Sequence, residues 1–245
     1  MKRRKILLVG AKGRMGHAIS AAANDDAGVV ISASCARGDA LMPVIGECDV
    51  VVDFSQPDAT NDICRVCIEH KKPIVIGTTG HSAEQTGIIK KAAANVPIVF
   101  APNFSVGVNA LFWLTRKAAE LLGPDFDLEI VEMHHRLKKD APSGTAKKLA
   151  EILSKARKLD SRKNLRRGRE GMIGERPTAE IGVHALRGGD LVGDHTVIFA
   201  GAGERLELTH RAGSRETFAR GALRAAQWVI DKPPRVYSME DVLGL

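Results

Sequence analysis

Aromatic residues are scarce in this 245-residue chain, with seven Phe, two Trp and one Tyr making up 4% of it. Cysteine is scarcer. There are four, and all lie in the first third, as Cys35, Cys48, Cys64 and Cys67. That is too few for a disulfide scaffold at this length, and no Cys/His metal spacing surrounds them. No apolar run approaches the ~18–20 residues that span a bilayer. The basic start Lys2–Lys5 resembles that of a signal peptide, but only Ile6 to Val9 follow before Gly10. A secretory core needs about 7–15 apolar residues. The expectation is a cytoplasmic chain with no membrane partner.

The formal net charge is +7, which raises the question of a nucleic-acid surface. The densest basic run, Lys155 to Arg169, holds no aromatic residue. Single-strand binders interleave aromatics as stacking platforms. The run therefore reads as a solvated helix end followed by a polar loop, and no nucleic-acid partner is expected. What the chain does have is an apolar fraction of 44%, enough to build a core and too high for a disordered segment.

The first hundred residues alternate short apolar runs with helical patterns. Lys5–Gly10, Val29–Ser34, Asp49–Ser55, Pro73–Gly80 and Pro97–Pro102 read as strands, and Arg14–Ala23, Asp58–Lys71 and Ala83–Ala94 as helices. Continuous apolar strands separated by helices predict a parallel sheet covered on both faces. Near residues 103–110 the rhythm changes. Gly107–Leu122 is one long helical pattern ended by Gly123-Pro124. The run DLEIVEMHH then alternates, as do 179–189 and 195–212, with a helix after the first of them. Alternation of this kind predicts strands with one exposed face in an antiparallel or mixed sheet. Thr217–Ile230 returns to a helix. The fold class is thus α/β, with a second domain starting near residues 103–110.

The first strand runs directly into G-A-K-G-R-M-G, with glycines at 10, 13 and 16, and a helix follows at once. Strand, glycine turn and helix N-terminus in this order form the place where a dinucleotide pyrophosphate is held. Arg37, at the end of the second strand, suits a 2′-phosphate and favours NADPH, while Asp39 keeps NADH open. The segments Gly77–Gly80 and Ala101–Ser105 sit at the C-terminal ends of later strands, the edge where open α/β sheets bind ligands.

EMHHRLKKDAPSGTA carries the densest polar chemistry. On an extended strand His134, Arg136 and Lys138 share one face and His135 takes the other. Fully extended, His134 and Lys138 would lie about 13 Å apart, so they can serve one small substrate only if the chain bends there, which the following Asp-Ala-Pro favours. Histidine suits proton transfer near neutral pH, and Lys and Arg suit carboxylates. Ser143 is a natural N-cap, which leaves the Gly144 and Thr145 amides as donors at a positive helix end. The pattern suits a small substrate with more than one carboxylate. The Cys64-x-x-Cys67 pair lies inside a helical pattern and reads as packing. His184, His195 and His210 lack ligand spacing, so no metal is expected.

Taken together, VGAKGRMG, VVDFSQP, GTTG, PNFSVGVN, EMHHRLKKDAPSGTA, HALRGGDLVGDHTVIFAGAGERLELTHRAGSRETFARGAL and MEDVL resemble, in order, the 4-hydroxy-tetrahydrodipicolinate reductase (dihydrodipicolinate reductase) family. The resemblance covers nearly the whole chain. It implies a Rossmann-type dinucleotide-binding domain over 1–105 and 216–245. It also implies an inserted α+β domain over 106–215, built on a mixed sheet, that binds substrate and forms a homotetramer. The implied activity is the reduction of 4-hydroxy-tetrahydrodipicolinate by NADPH and/or NADH in the diaminopimelate route to lysine, with domain closure over the ligands. His134 matches the family's proton donor and Lys138 its catalytic lysine. His135, Gly144 and Thr145 match contacts to the dicarboxylate substrate. Gly10, Ala11, Lys12, Gly13, Arg14 and Met15, then Gly77, Thr78 and Thr79, then Ala101, Pro102, Asn103 and Phe104 match cofactor contacts. The chain departs from many members at Cys35, where they carry an acidic residue, and at His81, where they carry phenylalanine. The stretch from Ala36 to Cys48 is also short. Another NAD(P)-dependent dehydrogenase and a ligand sensor on the same fold are the competing readings.

Overall fold

The computed structural model describes residues 3–245, and the chain divides into two compact units. The first comprises residues up to Val106 together with Arg215–Leu245, and the second Gly107–Ser214.

The first unit begins with strand β1 (Arg4–Val9), helix α1 (Arg14–Asn24), β2 (Val29–Cys35), β3 (Val50–Asp53), α2 (Thr60–Glu69), β4 (Ile74–Ile76), α3 (Ala83–Ala92) and β5 (Ile98–Phe100). Ile6–Val9, Val50–Val52, Ile74–Ile76 and Ile98–Phe100 are apolar runs, as strands covered on both sheet faces must be. Ile6, Leu8, Val50, Val52, Val75 and Val99 pack on one side with Ile19, Ala22 and Ala23 of α1. Leu7, Val9, Val51, Ile74, Ile76 and Ile98 pack on the other with Ile63, Val66 and Ile89. Each of these side chains leaves water almost completely, a gain of ~1.5–3 kcal/mol for a Val, Leu or Ile.

The second unit holds α4 (Val106–Leu122), β6 (Asp127–His134), α5 (Gly144–Ala156), α6 (Ser161–Asn164), β7 (Leu165–Arg167), β8 (Ile181–Arg187), β9 (Gly193–Gly201) and β10 (Glu204–Ala212). Its five strands run in the order β10-β9-β6-β8-β7. β6 is parallel to β8 and antiparallel to β9, so the sheet is mixed. Leu128 and Ile130 of β6 pack with Val108, Leu111 and Phe112 of α4 and Leu149 and Leu153 of α5.

The chain then returns to the first unit with α7 (Glu216–Val229), β11 (Val236–Tyr237) and α8 (Met239–Leu243). β11 adds to the edge of the first sheet, giving the order β11-β5-β4-β3-β1-β2, parallel throughout. The Rossmann-type α/β class with a second, mixed sheet is therefore the fold observed.

Two local expectations are corrected and a third holds. The alternating run 195–212 is a hairpin of two strands, because Ala202-Gly203 forms a tight turn with Gly203 at φ +82°. The basic run 155–169 is not all helix end and loop. Its Leu165–Arg167 portion pairs with Ile181–Val183 as an edge strand. The strand in DLEIVEMHH ends at His134, and the chain bends there as His134 and Lys138 need, with the Lys138 amide donating to the His135 carbonyl at 3.1 Å.

Candidate active site

In the first unit the turn after β1 is closed by glycines for steric reasons. Gly10 sits at φ +84°, and a Cβ there would stand 2.4 Å from the Phe54 carbonyl oxygen. A Cβ at Gly16 would stand 2.3 Å from the Gly10 carbonyl oxygen, so the turn and α1 can approach this closely only as glycine. Gly13 caps α1 without a side chain, and the first turn of the helix carries no acidic residue. An uncapped helix start with its dipole unopposed favours a phosphate.

Beside this turn lies a cavity of about 420 Å³ whose lining includes Gly10, Lys12, Gly13, Arg37, Ser55 and Asp58. Arg37 is exposed at its wall, and Asp39 accepts from the Ala36 amide at 2.7 Å and so holds the loop. Cys35 is turned into the core and does not line the cavity. A glycine cradle, an open helix start and two cations fit a dinucleotide.

The neighbouring strand ends are tied together. Asp53 is wholly buried, and its Oδ1 accepts from the Ser55 amide at 2.9 Å and the Ser55 hydroxyl at 2.5 Å. Burial pushes the Asp53 carboxyl above its usual range. Thr78 Oγ1 also accepts from the Ser55 amide, at 2.9 Å. Thr79 and Pro102 are exposed, Gly77 and Asn103 are half-buried, and Ala101 is buried. Phe104 is buried too, its ring 5.5 Å from that of Phe54. His81 is hydrogen-bonded to Thr60 Oγ1 at 2.7 Å and meets the Phe100 ring edge-on.

In the second unit the buried face of β6 carries Leu128, Ile130, Glu132 and His134 in succession. Two apolar residues give way to an acid and an imidazole on the same inner face. His134 Nδ1 lies 2.5 Å from Glu132 Oε2. Arg187 of β8 donates to both Glu132 oxygens at 2.9 Å, and the Ser143 amide donates to Oε1 at 3.0 Å. Ser143 caps α5 through its hydroxyl, which accepts from the Ala146 amide at 3.1 Å. The same hydroxyl is hydrogen-bonded to His195 Nε2 at 2.9 Å. His195 packs edge-on against His134, with 5.1 Å between ring centroids. Burial first, then the neighbouring His134, pushes His195 down to about 4, so it is neutral at physiological pH.

Past the bend, Lys138 pairs with Asp140 at 2.7 Å. The His135 amide donates to the Leu191 carbonyl at 2.9 Å, which anchors the turn. Gly144 and Thr145 form the first turn of α5, where no acidic residue stands. The structure ties His134 and Ser143 at the start of α5 to one carboxylate, Glu132, while the Lys138 side chain is held by Asp140. Three residues in this network escaped the sequence reading: Glu132, Arg187 and His195. The signal for Glu132 was present, because period-2 counting from Leu128 and Ile130 puts residue 132 on the inner face.

Among the described residues, no group of three or more His, Cys, Asp and Glu side chains could hold a metal ion. None of their helices is long and apolar enough to cross a membrane. Cys64 and Cys67 are buried in α2, and burial raises the Cys64 thiol to about 11.

Family models for the two halves of dihydrodipicolinate reductase match this chain, the N-terminus over residues 4–104 and the C-terminus over 107–243. The chain belongs to the dihydrodipicolinate reductase family. A relative from Akkermansia muciniphila, named 4-hydroxy-tetrahydrodipicolinate reductase, is 55% identical over 240 residues, covering 98% of each chain. One of the same name from Geotalea uraniireducens is 44% identical over 98% of this chain and 99% of its own. In fold, the chain is similar to a dipicolinate-bound dihydrodipicolinate reductase from Paenisporosarcina. The TM-score is 0.77 at 24% identity, covering 97% of this chain and 98% of that one. A diaminopimelate dehydrogenase from C. glutamicum follows at TM-score 0.57 and 12% identity, over 98% and 93%. The family resemblance drawn from the sequence motifs therefore holds. With it hold the enzyme class, an oxidoreductase of lysine and diaminopimelate biosynthesis, and the cofactor class, NAD(P)H.

Proposed function

We propose that the chain catalyses the NAD(P)H-dependent reduction of 4-hydroxy-tetrahydrodipicolinate to tetrahydrodipicolinate, with His134 as proton donor and Lys138 as its partner. Family membership across both halves supports the reaction. The observation that carries the residue roles is the buried His134–Glu132 pair beside the N-terminus of α5.

NAD(P)H, when bound, supplies the hydride. The residues to hold it are Gly10, Ala11, Lys12, Gly13, Arg14 and Met15 at the pyrophosphate, with Arg37 at the adenosine end. Gly77, Thr78 and Thr79, with Ala101, Pro102, Asn103 and Phe104, would flank the nicotinamide at the strand ends. The substrate is a small dicarboxylate, as the dipicolinate bound in the Paenisporosarcina relative suggests. His135, the Gly144 amide and Thr145 receive its carboxylates, where the α5 dipole favours negative charge. His134 gives a proton to the ring while Lys138 adds positive charge beside the carboxylates. Residues 1–105 with 216–245 then serve as the dinucleotide-binding domain, and 106–215 as the substrate-binding and oligomerisation domain.

The chain is proposed to work in the cytoplasm as a homotetramer. Support comes from the sheet face opposite α4 and α5, where Val131, Met133 and Ile198 stay half-exposed. The test is NADPH and NADH oxidation by the purified protein, with substrate generated in place from pyruvate and aspartate semialdehyde by the preceding synthase. Synthase-dependent oxidation establishes the reaction. Cofactor binding without oxidation would favour a sensor or another dehydrogenase.

A further inference from the structure

Glu132 is fully buried on a sheet face that is otherwise apolar up to that point. Burying a carboxylate costs several kcal/mol unless donors surround it. Here they do. Oε1 takes the Ser143 amide and Arg187 Nη2, and Oε2 takes Arg187 Nη1 and His134 Nδ1. Burial pushes the carboxyl up, but the bonds from Arg187, His134 and Ser143 outweigh it and hold Glu132 below its ordinary value. Glu132 is therefore ionised at neutral pH and can only accept.

A carboxylate that can only accept requires an N–H on the atom it faces. His134 Nδ1 therefore carries its proton in both charge states, and the titrating atom is Nε2. Nε2 borders Gly193, where a Cβ would stand 2.8 Å from it. A glycine at 193 thus keeps that side of the ring uncrowded.

We propose that Glu132 is a positioning residue for proton transfer. It fixes the His134 ring with Nδ1–H inward and Nε2–H as the proton delivered to the substrate, while Arg187 keeps Glu132 a carboxylate. In the step, the Nε2–H bond breaks and its proton goes to the substrate ring. Nδ1–H stays on Glu132, the imidazolium becomes neutral imidazole, and solvent restores the proton after product leaves. This inference rests on His134 being the proton donor.

The ionisable groups facing His134 are Glu132 on its own strand, Lys138 past the bend, Arg187 on β8 and His195 on β9. Burial is the main influence pushing His134 down; Glu132 opposes it, and Lys138 and Arg187 add to it. Glu132 is thus the neighbour that favours the imidazolium. Removing its charge must move His134 protonation to lower pH.

The experiment compares Glu132→Gln and His134→Gln in the full-length enzyme by kcat across pH. His134→Gln is expected to abolish the alkaline limb of the profile. Glu132→Gln is expected to lower kcat at least about tenfold, within the ~10²–10⁴-fold that a general acid supplies, and to shift that limb to lower pH. If His134→Gln keeps the limb, the proton-donor reading fails. If it loses the limb while Glu132→Gln lowers activity with the limb in place, Glu132 is merely structural and this inference alone fails. Should Glu132→Gln not fold, the unaltered enzyme decides by ¹⁵N-histidine NMR. A neutral His134 protonated at Nδ1 supports the inference, and one protonated at Nε2 overturns it.

Discussion

Arg169 and Glu129 lie forty residues apart in sequence and meet side by side, Nη1 to Oε2 at 3.1 Å and Nη2 to Oε1 at 2.6 Å. Arg176 and His184 reach the same carboxylate at 2.9 Å and 2.8 Å. The loop after β7 is thereby pinned to β6.

That pinning depends on pH. Burial pushes Glu129 up, but the bonds from Arg169, His184 and Arg176 outweigh it and bring the carboxyl down to about 2. A depressed folded-state pKa adds stability above the unfolded value of about 4.3, and that stability is lost as pH falls toward the folded value. Acid titration of the melting temperature should therefore show a decline between about pH 4.3 and 2. Glu129→Gln should be less stable than the parent at pH 7 and converge with it at pH 2. A constant gap across this window would contradict the pairing.

His134→Gln should lower kcat by about 10²–10⁴-fold while leaving cofactor affinity within about twofold. Stopped-flow nicotinamide fluorescence separates the two. A near-parent kcat would remove His134 from the chemistry.

Thr145→Val swaps a hydroxyl for a methyl in the first turn of α5. A hydrogen bond to a charged group is worth ~1.5–3 kcal/mol, so the substrate KM should rise about tenfold or more with kcat little changed. An unchanged KM would place the substrate carboxylates elsewhere.

Arg37→Ala should raise the Kd for NADPH about tenfold and leave that for NADH nearly as it was, since only the former carries a 2′-phosphate. Isothermal titration with both cofactors measures this. Equal losses would show that Arg37 does not read the phosphate.

Much of this architecture was legible in the sequence because apolar periodicity and glycine placement act locally. The run Lys5–Gly10 and the glycines after it specify a strand and a sharp turn without reference to anything distant. Ser143 likewise announces the start of α5 through its own capping hydroxyl. What stayed hidden depended on pairing across the chain. Leu165–Arg167 is too short and too basic to read as a strand, and it forms one only because β8 offers an edge. Arg187 looks like any strand-end cation until register puts it opposite His134. His195 reads as a lone histidine, and only the antiparallel pairing of β6 with β9 sets it beside Glu132. The bend after His134 is also tertiary, since the His135 and Arg136 amides donate to carbonyls of the 189–191 turn.

The first sheet is finished by residues that follow the whole second unit, and this bears on how the protein is made. On the ribosome, β1 to β5 emerge first, but α7 supplies Ala219, Ala222, Leu223, Ala225, Ala226 and Val229 to one face of their sheet. Until that helix leaves the exit tunnel, α1 alone covers this face, and the apolar side of β3, β4 and β5 lacks the part of its cover that α7 supplies. At about 5–20 residues per second, the hundred-odd residues in between take several seconds to synthesise. The inserted unit is thus complete before the unit that encloses it in sequence, and nascent chains stalled within 107–214 should be the ones that most need chaperone shelter.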